Sequence, residues 1–260
     1  MLERIGKWFF QKSHDSRCCC FHFGRCGSTL LGNMVGDHPD VDWAGEVFHA
    51  LHENTVDAIE LADPFQWLHG PIRNSKCKSF GFETKFQHLD SNGLDLTFDE
   101  YLTLLKSLNF DRFIILKRRN YLRQAVSVAR GQLTKTWHVT QEMKRPVFAP
   151  FPMDPTKIGL GGSDRELVDC FEFLDEVYEK AEESFAQHKI SCLNLCYEDD
   201  LEHEPQIGFH KVVGFLQLSP AEPMVSLQKL GVRPLAQAIS NFDEIRQLLS
   251  GTKYGWMCDH

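Results

Sequence analysis

Apolar residues along this chain fall into short continuous blocks separated by longer stretches with helical spacing. The short blocks are Arg17–Phe23 (RCCCFHF), Ser79–Thr84 (SFGFET), Arg112–Leu116 (RFIIL) and Ile190–Cys196. They are too short for helices, rich in β-favouring residues and bounded by charges or turn residues, so they are predicted strands. RFIIL is apolar at its centre and charged at its edges, which suits burial on both faces of a parallel sheet. The longer stretches read as helices. Thr29–Val35 ends near Gly36 and the His38-Pro39 pair, and residues 53–70 carry helical spacing. Thr97-Phe98-Asp99-Glu100 has a capping-box pattern, followed by a stripe of Tyr101, Leu104, Leu105 and Leu108. Asn120–Arg130, Ser163–His188, Glu204–Leu216 and Asn241–Leu249 complete the set, with Ser163 and Asn241 as predicted N-caps. Strands alternating with helices predict a three-layer α/β fold, a central parallel sheet flanked by helices, with right-handed crossovers.

Between two of these helices, residues 141–163 hold Pro146, Pro150, Pro152, Pro155, Gly159, Gly161 and Gly162. Such a stretch is a loop, and long loops in compact domains tend to carry function. At 260 residues the whole chain, 1–260, suits one domain. Its net charge of -8 argues against nucleic acid or an anionic membrane as partner, and makes the arginines between 112 and 130 stand out. No apolar run approaches the length of a membrane span, and the N-terminus lacks the features of a secretory leader. The nine cysteines fit neither a disulfide framework nor zinc spacing. They read as core thiols, Cys192 and Cys196 included, of a protein in a reducing, cytoplasmic compartment.

Two places have the makings of anion sites. The first predicted strand runs into Phe23-Gly24-Arg25-Cys26-Gly27-Ser28-Thr29 and then a helix. Glycines permit the tight turn, the hydroxyls of Ser28 and Thr29 add donors, and Arg25 adds charge. A nucleotide hydrolase would need Lys immediately before the Ser, where Gly27 stands. The second place follows RFIIL. If a helix begins near Asn120, Arg123 and Ser127 share a face with Arg119 at its mouth. Two anion sites at the ends of parallel strands point to a ligand with two separated phosphates.

The pair resembles the sulfotransferase family. Arg25-Cys26-Gly27-Ser28-Thr29-Leu30-Leu31 resembles its 5'-phosphosulfate loop, and Arg119 with Ser127 resembles its 3'-phosphate motif, R-x7-S. Leu193–Asp200, with Tyr197-Glu198-Asp199, and the Val213-Gly214-Phe215-Leu216 segment resemble a strand and helix of the same family. The Arg-first loop, Gly45-Glu46-Val47-Phe48, Gln124–Ser127 and Trp137-His138 are most similar to bacterial nodulation-factor and trehalose sulfotransferases. The resemblance implies a P-loop-like fold with 3'-phosphoadenosine 5'-phosphosulfate (PAPS) as donor and 3',5'-diphosphoadenosine (PAP) as product. Arg25 and the loop residues Cys26, Gly27, Ser28, Thr29 and Leu30 would hold the 5' end, Arg119 and Ser127 the 3'-phosphate, and Tyr197 the adenosine. Cys26 departs from the usual Ser or Thr. Glu46, among the apolar neighbours Trp43, Val47 and Phe48, falls where these relatives place a catalytic base, with His49 and His52 as second choices. The acceptor would be a small carbohydrate or metabolite, and no metal is implied. Residues 141–163 would cover the acceptor, and Gly251–Trp256 would close over the nucleotide. A small-molecule kinase and a catalytically inactive nucleotide-binding protein are the alternatives.

Overall fold

The computed structural model describes residues 16–49, 66–90, 93–144, 146–229 and 233–259. Five strands form one sheet: β1 (Ser16–His22), β2 (Val41–Glu46), β3 (Ser79–Lys85), β4 (Arg112–Lys117) and β5 (Cys192–Cys196). Their order is β2-β3-β1-β4-β5, and every neighbouring pair is parallel. Around the sheet run α1 (Ser28–Gly36), α2 (Gln66–Asn74), α3 (Phe98–Ser107), α4 (Tyr121–Thr134), α5 (Leu167–Gln187), α6 (Pro205–Phe215), α7 (Leu235–Ala238) and α8 (Phe242–Leu249). This is an α/β architecture with a parallel sheet between helical layers. None of the described helices is long and apolar enough to cross a membrane.

The alternation of β1 explains its unbroken apolar run. Cys19 and Phe21 enter one core with Phe82, Phe113 and Phe171, while Cys18 and Cys20 enter the other with Leu31, Ile114 and Phe209. A strand covered on both faces has no polar side to display. The chain leaves β1 towards β2 on one side and leaves β4 towards β5 on the other. The carboxyl ends of β1 and β4 therefore flank the switch point at which open parallel sheets bind ligands.

Four expectations change. Residues 41–46, read without a strand, form β2, whose only buried residue is Val41. An edge strand with Asp42, Gly45 and Glu46 shows no apolar block, and it is held by Trp43 packing over Gly81. Helix α5 starts at Leu167, because Ile158 and Arg165 bridge in extended backbone across the turn at Gly161 and Gly162; Ser163 is no cap. Asn241 stands at the N-cap of α8 but spends its side chain on the Met153 backbone and Glu244. The predicted helix at 53–70 is described only from Gln66, as α2, and its earlier part lies outside the described residues. The capping box of α3 is present, with Glu100 N donating to Thr97 Oγ1 at 3.3 Å and Thr97 N to Glu100 Oε2 at 2.8 Å. All nine cysteines are free thiols, and Cys192 and Cys196 are half-buried rather than in the core.

Candidate active site

The turn after β1 winds through left-handed backbone at Gly24 (φ 78°), Arg25 (φ 54°) and Gly27 (φ 89°). Side chains rarely adopt that region, and at Gly27 there is also no room: a Cβ would lie 2.8 Å from the Tyr197 ring. Helix α1 starts directly at Ser28 with no side chain capping it. Its first-turn amides therefore face the turn, an arrangement suited to an anion.

Buried polar groups fix this turn from beneath. Gly24 N donates to His22 Nδ1 at 2.8 Å, which leaves the ring hydrogen on Nε2 to reach Glu83 Oε2 at 3.1 Å. Trp43 Nε1 donates to the other Glu83 oxygen at 2.9 Å. Burial works to raise the Glu83 pKa, but His22, Trp43 and the Lys85 charge outweigh it and hold the carboxyl below its usual range.

Above the turn lies a cavity of about 510 Å³, at the switch point of the sheet. Arg25, Gly27, Ser28, Thr29 and Leu30 form one wall, and Arg118, Arg123, Ser127, Arg130 and Tyr197 another. Cys26 instead packs fully buried in the core behind the turn. The two predicted anion sites meet directly, since Arg25 Nε donates to Ser127 Oγ at 3.1 Å. Arg25 Nη2 also donates to the Trp137 carbonyl at 2.8 Å. Burial, then repulsion from Arg130 and Arg118, lowers the Arg25 pKa to about 10. Such crowding of cations in a half-dry space favours a multiply charged anion.

Adjacent arginines on the β4–α4 link have different fates. Arg118 is buried, donates to the Arg25 carbonyl at 3.2 Å, and lies 4.5 Å over the Tyr197 ring. Arg119 turns outward, where both its terminal nitrogens pair with Asp199 at 2.7 Å. Glu198 accepts from the backbone N–H groups of Arg119 and Asn120 at 2.9 and 3.1 Å, which fixes this split. The structure thus brings Arg25, Gly27, Ser28, Thr29, Leu30, Ser127 and Tyr197 to one cavity and leaves Arg119 outside it. Arg118 was missed, although strand alternation past the solvent-facing Lys117 is a signal that places it inward.

Glu46 ends β2 and is not among the residues that line the cavity, although its charge acts on Arg25 and His138, which are. It is a quarter exposed rather than shielded by apolar neighbours, and Lys85 Nζ sits 2.5 Å from its Oε2. His49 Nδ1 is 3.7 Å away and half-exposed, and His52 lies outside the described residues. His138 does line the cavity; burial and the neighbouring Arg25 lower its pKa, so its ring is neutral at pH 7. Ligand atoms of Glu46, His49 and His88, and of His22, Glu46 and Glu83, lie close enough to hold an ion. Lys85 already pairs with Glu46, and His22 with Glu83, so members of both sets are committed to partners within the chain.

The outer wall comes from Trp137 to Phe151 and from Val225 to Ala238. Thr140–Leu227 and Phe151–Ile239 bridges tie the two together. Half of the 141–163 loop therefore covers the cavity, while the second segment, with Lys229 and Arg233, gave no signal in the sequence. Gly251–Trp256 covers nothing there. Lys253 and Tyr254 bind Asp175, and Asn120 Nδ2 donates to the Met257 carbonyl at 3.0 Å, so this segment braces the start of α4.

Nodulation protein H of Rhizobium tropici is 25% identical to this chain over 240 residues, which cover 88% of each protein. No family model matches the chain. The distant similarity over most of both chains loosely supports the resemblance to nodulation-factor sulfotransferases carried by the motifs.

Proposed function

We propose that the chain is a sulfotransferase that takes PAPS as donor and passes its sulfuryl group to a small acceptor. The observation that carries this reading is the Arg25–Ser127 hydrogen bond, which joins a glycine turn at a helix N-terminus to a buried arginine cluster. A ligand with two separated anionic groups satisfies both. The buried Nε of Arg118 has no hydrogen-bond partner, only the Glu198 carboxylate 3.7 Å away, which fits a site built for such a ligand.

In this reading the loop amides and Arg25 hold the 5'-phosphosulfate. Arg118, Arg123 and Ser127 hold the 3'-phosphate, and Tyr197 meets the adenosine beneath Arg118. Arg119 supports the site from outside by holding Asp199. The acceptor hydroxyl or amine attacks sulfur in line, the bond from sulfur to the bridging phosphate oxygen breaks, and PAP departs. Charge grows on the leaving phosphate, where Arg25 and the amides are already in place. Glu46 takes the acceptor proton, with the Lys85 ammonium beside it. A second reading gives that proton to His138, because His138 lines the cavity and is held neutral at pH 7. Replacing each separates them. Glu46→Gln or His138→Asn, whichever is the base, lowers kcat by about 10²–10⁴-fold with PAP affinity kept. For His138, the acid limb of the rate profile lies below the ordinary histidine range.

Calorimetric titration with PAP in the absence of magnesium tests the donor. Wild type binds, and Arg118→Ala loses about 1.5–3 kcal/mol. Magnesium-dependent binding of ATP without binding of PAP would instead favour a kinase, and PAP binding with no transfer to any acceptor would favour an inactive nucleotide-binding protein.

A further inference from the structure

Among the described residues, six cationic side chains line the cavity: Arg25, Arg118, Arg123, Arg130, Lys229 and Arg233. Five have partners within the chain. Arg25 and Arg118 are tied to the loop and α4 as described. Arg123 Nη1 donates to the Arg233 carbonyl at 3.3 Å, Lys229 pairs with Glu202 at 2.6 Å, and Arg233 Nη1 donates to the Phe148 carbonyl at 2.9 Å. Arg130 is different. Its guanidinium has no hydrogen bond or ion pair among the described residues, its Nε is buried without a partner, and the residue is only 8% exposed. It rests 5.1 Å over the ring of Phe148. Burial, then Arg118, pull its pKa below the ordinary arginine value. A buried cation without a counter-charge is costly, and the cost is recovered when a ligand brings the missing charge.

The position of Arg130 on α4 indicates which part of a ligand that is. The helix begins after Asn120, so Arg130 stands about 15 Å along its axis from the N-terminus that faces a phosphate in the donor reading above. It lies nearly a turn beyond Ser127, on the same face, and turns towards Phe148 in the outer wall. That wall also presents Trp137, Val147 and Phe151 to the cavity. A neutral polyol would leave Arg130 uncompensated.

We infer that the acceptor itself carries an anionic group, a carboxylate or a phosphate monoester on a partly apolar body, and that Arg130 receives it against Phe148. This rests on the donor reading above and narrows its acceptor class. With PAP filling the loop and the start of α4, Arg130 is the buried cation left over for a third anionic group. The guanidinium offers a bidentate fork to either oxyanion, and the Phe148 ring holds the fork in plane.

The test uses the full chain saturated with PAP, titrated calorimetrically with benzoate, phenyl phosphate and benzyl alcohol. In wild type at least one of the two anions binds about tenfold or more tighter than benzyl alcohol, and which one does so separates carboxylate from phosphate. In Arg130→Gln that anion loses about tenfold or more, benzyl alcohol is unchanged, and PAP affinity stays within about threefold, which also shows that the variant is folded. Arg130→Lys keeps part of the anion preference. Two results overturn the inference. One is a tenfold or greater loss of PAP affinity in Arg130→Gln, which would make Arg130 a donor ligand; the other is no preference for either anion over benzyl alcohol in wild type. Failure of wild type to bind PAP removes the donor reading instead, and is seen before any acceptor probe is added.

Discussion

The inner and outer walls of the cavity are built on different principles. The inner wall grows out of β1 and β4, and its shape is set by backbone: left-handed residues at Gly24, Arg25 and Gly27, and buried hydrogen bonds from His22, Glu83 and Gln124. The outer wall is two loops joined by single bridges, with Met143, Val147 and Val225 exposed at 53%, 81% and 37%. The inner wall is thus prepared before any ligand arrives, and the outer wall is free to adapt to one. Substitutions in the first, Arg130 at the far end of α4 excepted, should disturb folding and donor binding together. Those in the second should leave folding alone and change the acceptor.

The largest effect should come from Gly27→Ala. Left-handed backbone costs an ordinary residue about 1–2 kcal/mol, and overpacking a tight site costs about 1–3 kcal/mol more. The new methyl would meet Tyr197 and Leu201 at 2.8 and 2.9 Å. Chemical denaturation should show a loss of about 2–4 kcal/mol, with PAP binding lost alongside. A variant that keeps both would break the claim that this wall is preorganised by its backbone.

Glu83→Gln comes next. The amide keeps an acceptor for Trp43 but removes the charge facing His22. A loss of about 1–3 kcal/mol at pH 7 is expected, below the full cost of stripping a buried pair because the isostere keeps its shape. The sign with pH follows from the depressed folded pKa of Glu83. Its contribution is complete above the unfolded value of about 4.3 and is lost as pH falls through the folded one. The stability gap between wild type and variant should therefore be widest near neutrality and close in acid. A gap that stays constant down to pH 3 would mean that the charge of Glu83 does nothing for the wall.

The same contrast explains what could be read in the sequence. The inner wall was legible because its parts are local: an apolar block, a glycine turn and a helix occupy consecutive residues from Arg17 to Val35. β2 was not legible, since it is an edge strand whose stability comes from Trp43 on Gly81, a contact between distant residues. Ser163 followed by Glu166 satisfies a capping pattern, but the bridge between Ile158 and Arg165 keeps that backbone extended. Lys229 and Arg233 reach the cavity on a loop with no periodicity, so only tertiary structure could reveal them. The outer wall is non-local throughout, and the sequence showed it only as a loop rich in proline.

Phe148→Ala probes that wall. Phe148 is half-buried, so its loss should cost about 1 kcal/mol or less of stability, little for a Phe truncation, because the site is partly open. PAP affinity should not change. The KM for an acceptor should rise several-fold with kcat nearly kept, which steady-state kinetics can read directly. A fall in PAP affinity instead would show that the two walls are coupled.

Arg119→Ala should have the smallest effect, and it sharpens the comparison because its neighbour Arg118 has one of the largest. Arg119 and Asp199 are both about half-exposed, and exposed ion pairs are worth about 0.2–1 kcal/mol even with good geometry. The backbone N–H of residue 119 would still donate to Glu198, so the turn that sends Arg118 inward survives the substitution. PAP titration at low and high salt should then give wild-type affinity within about threefold at both. If Arg119→Ala matches Arg118→Ala in its loss of PAP, the outward arginine must swing into the cavity when the nucleotide binds. The inner wall would then be completed by its ligand rather than finished in advance.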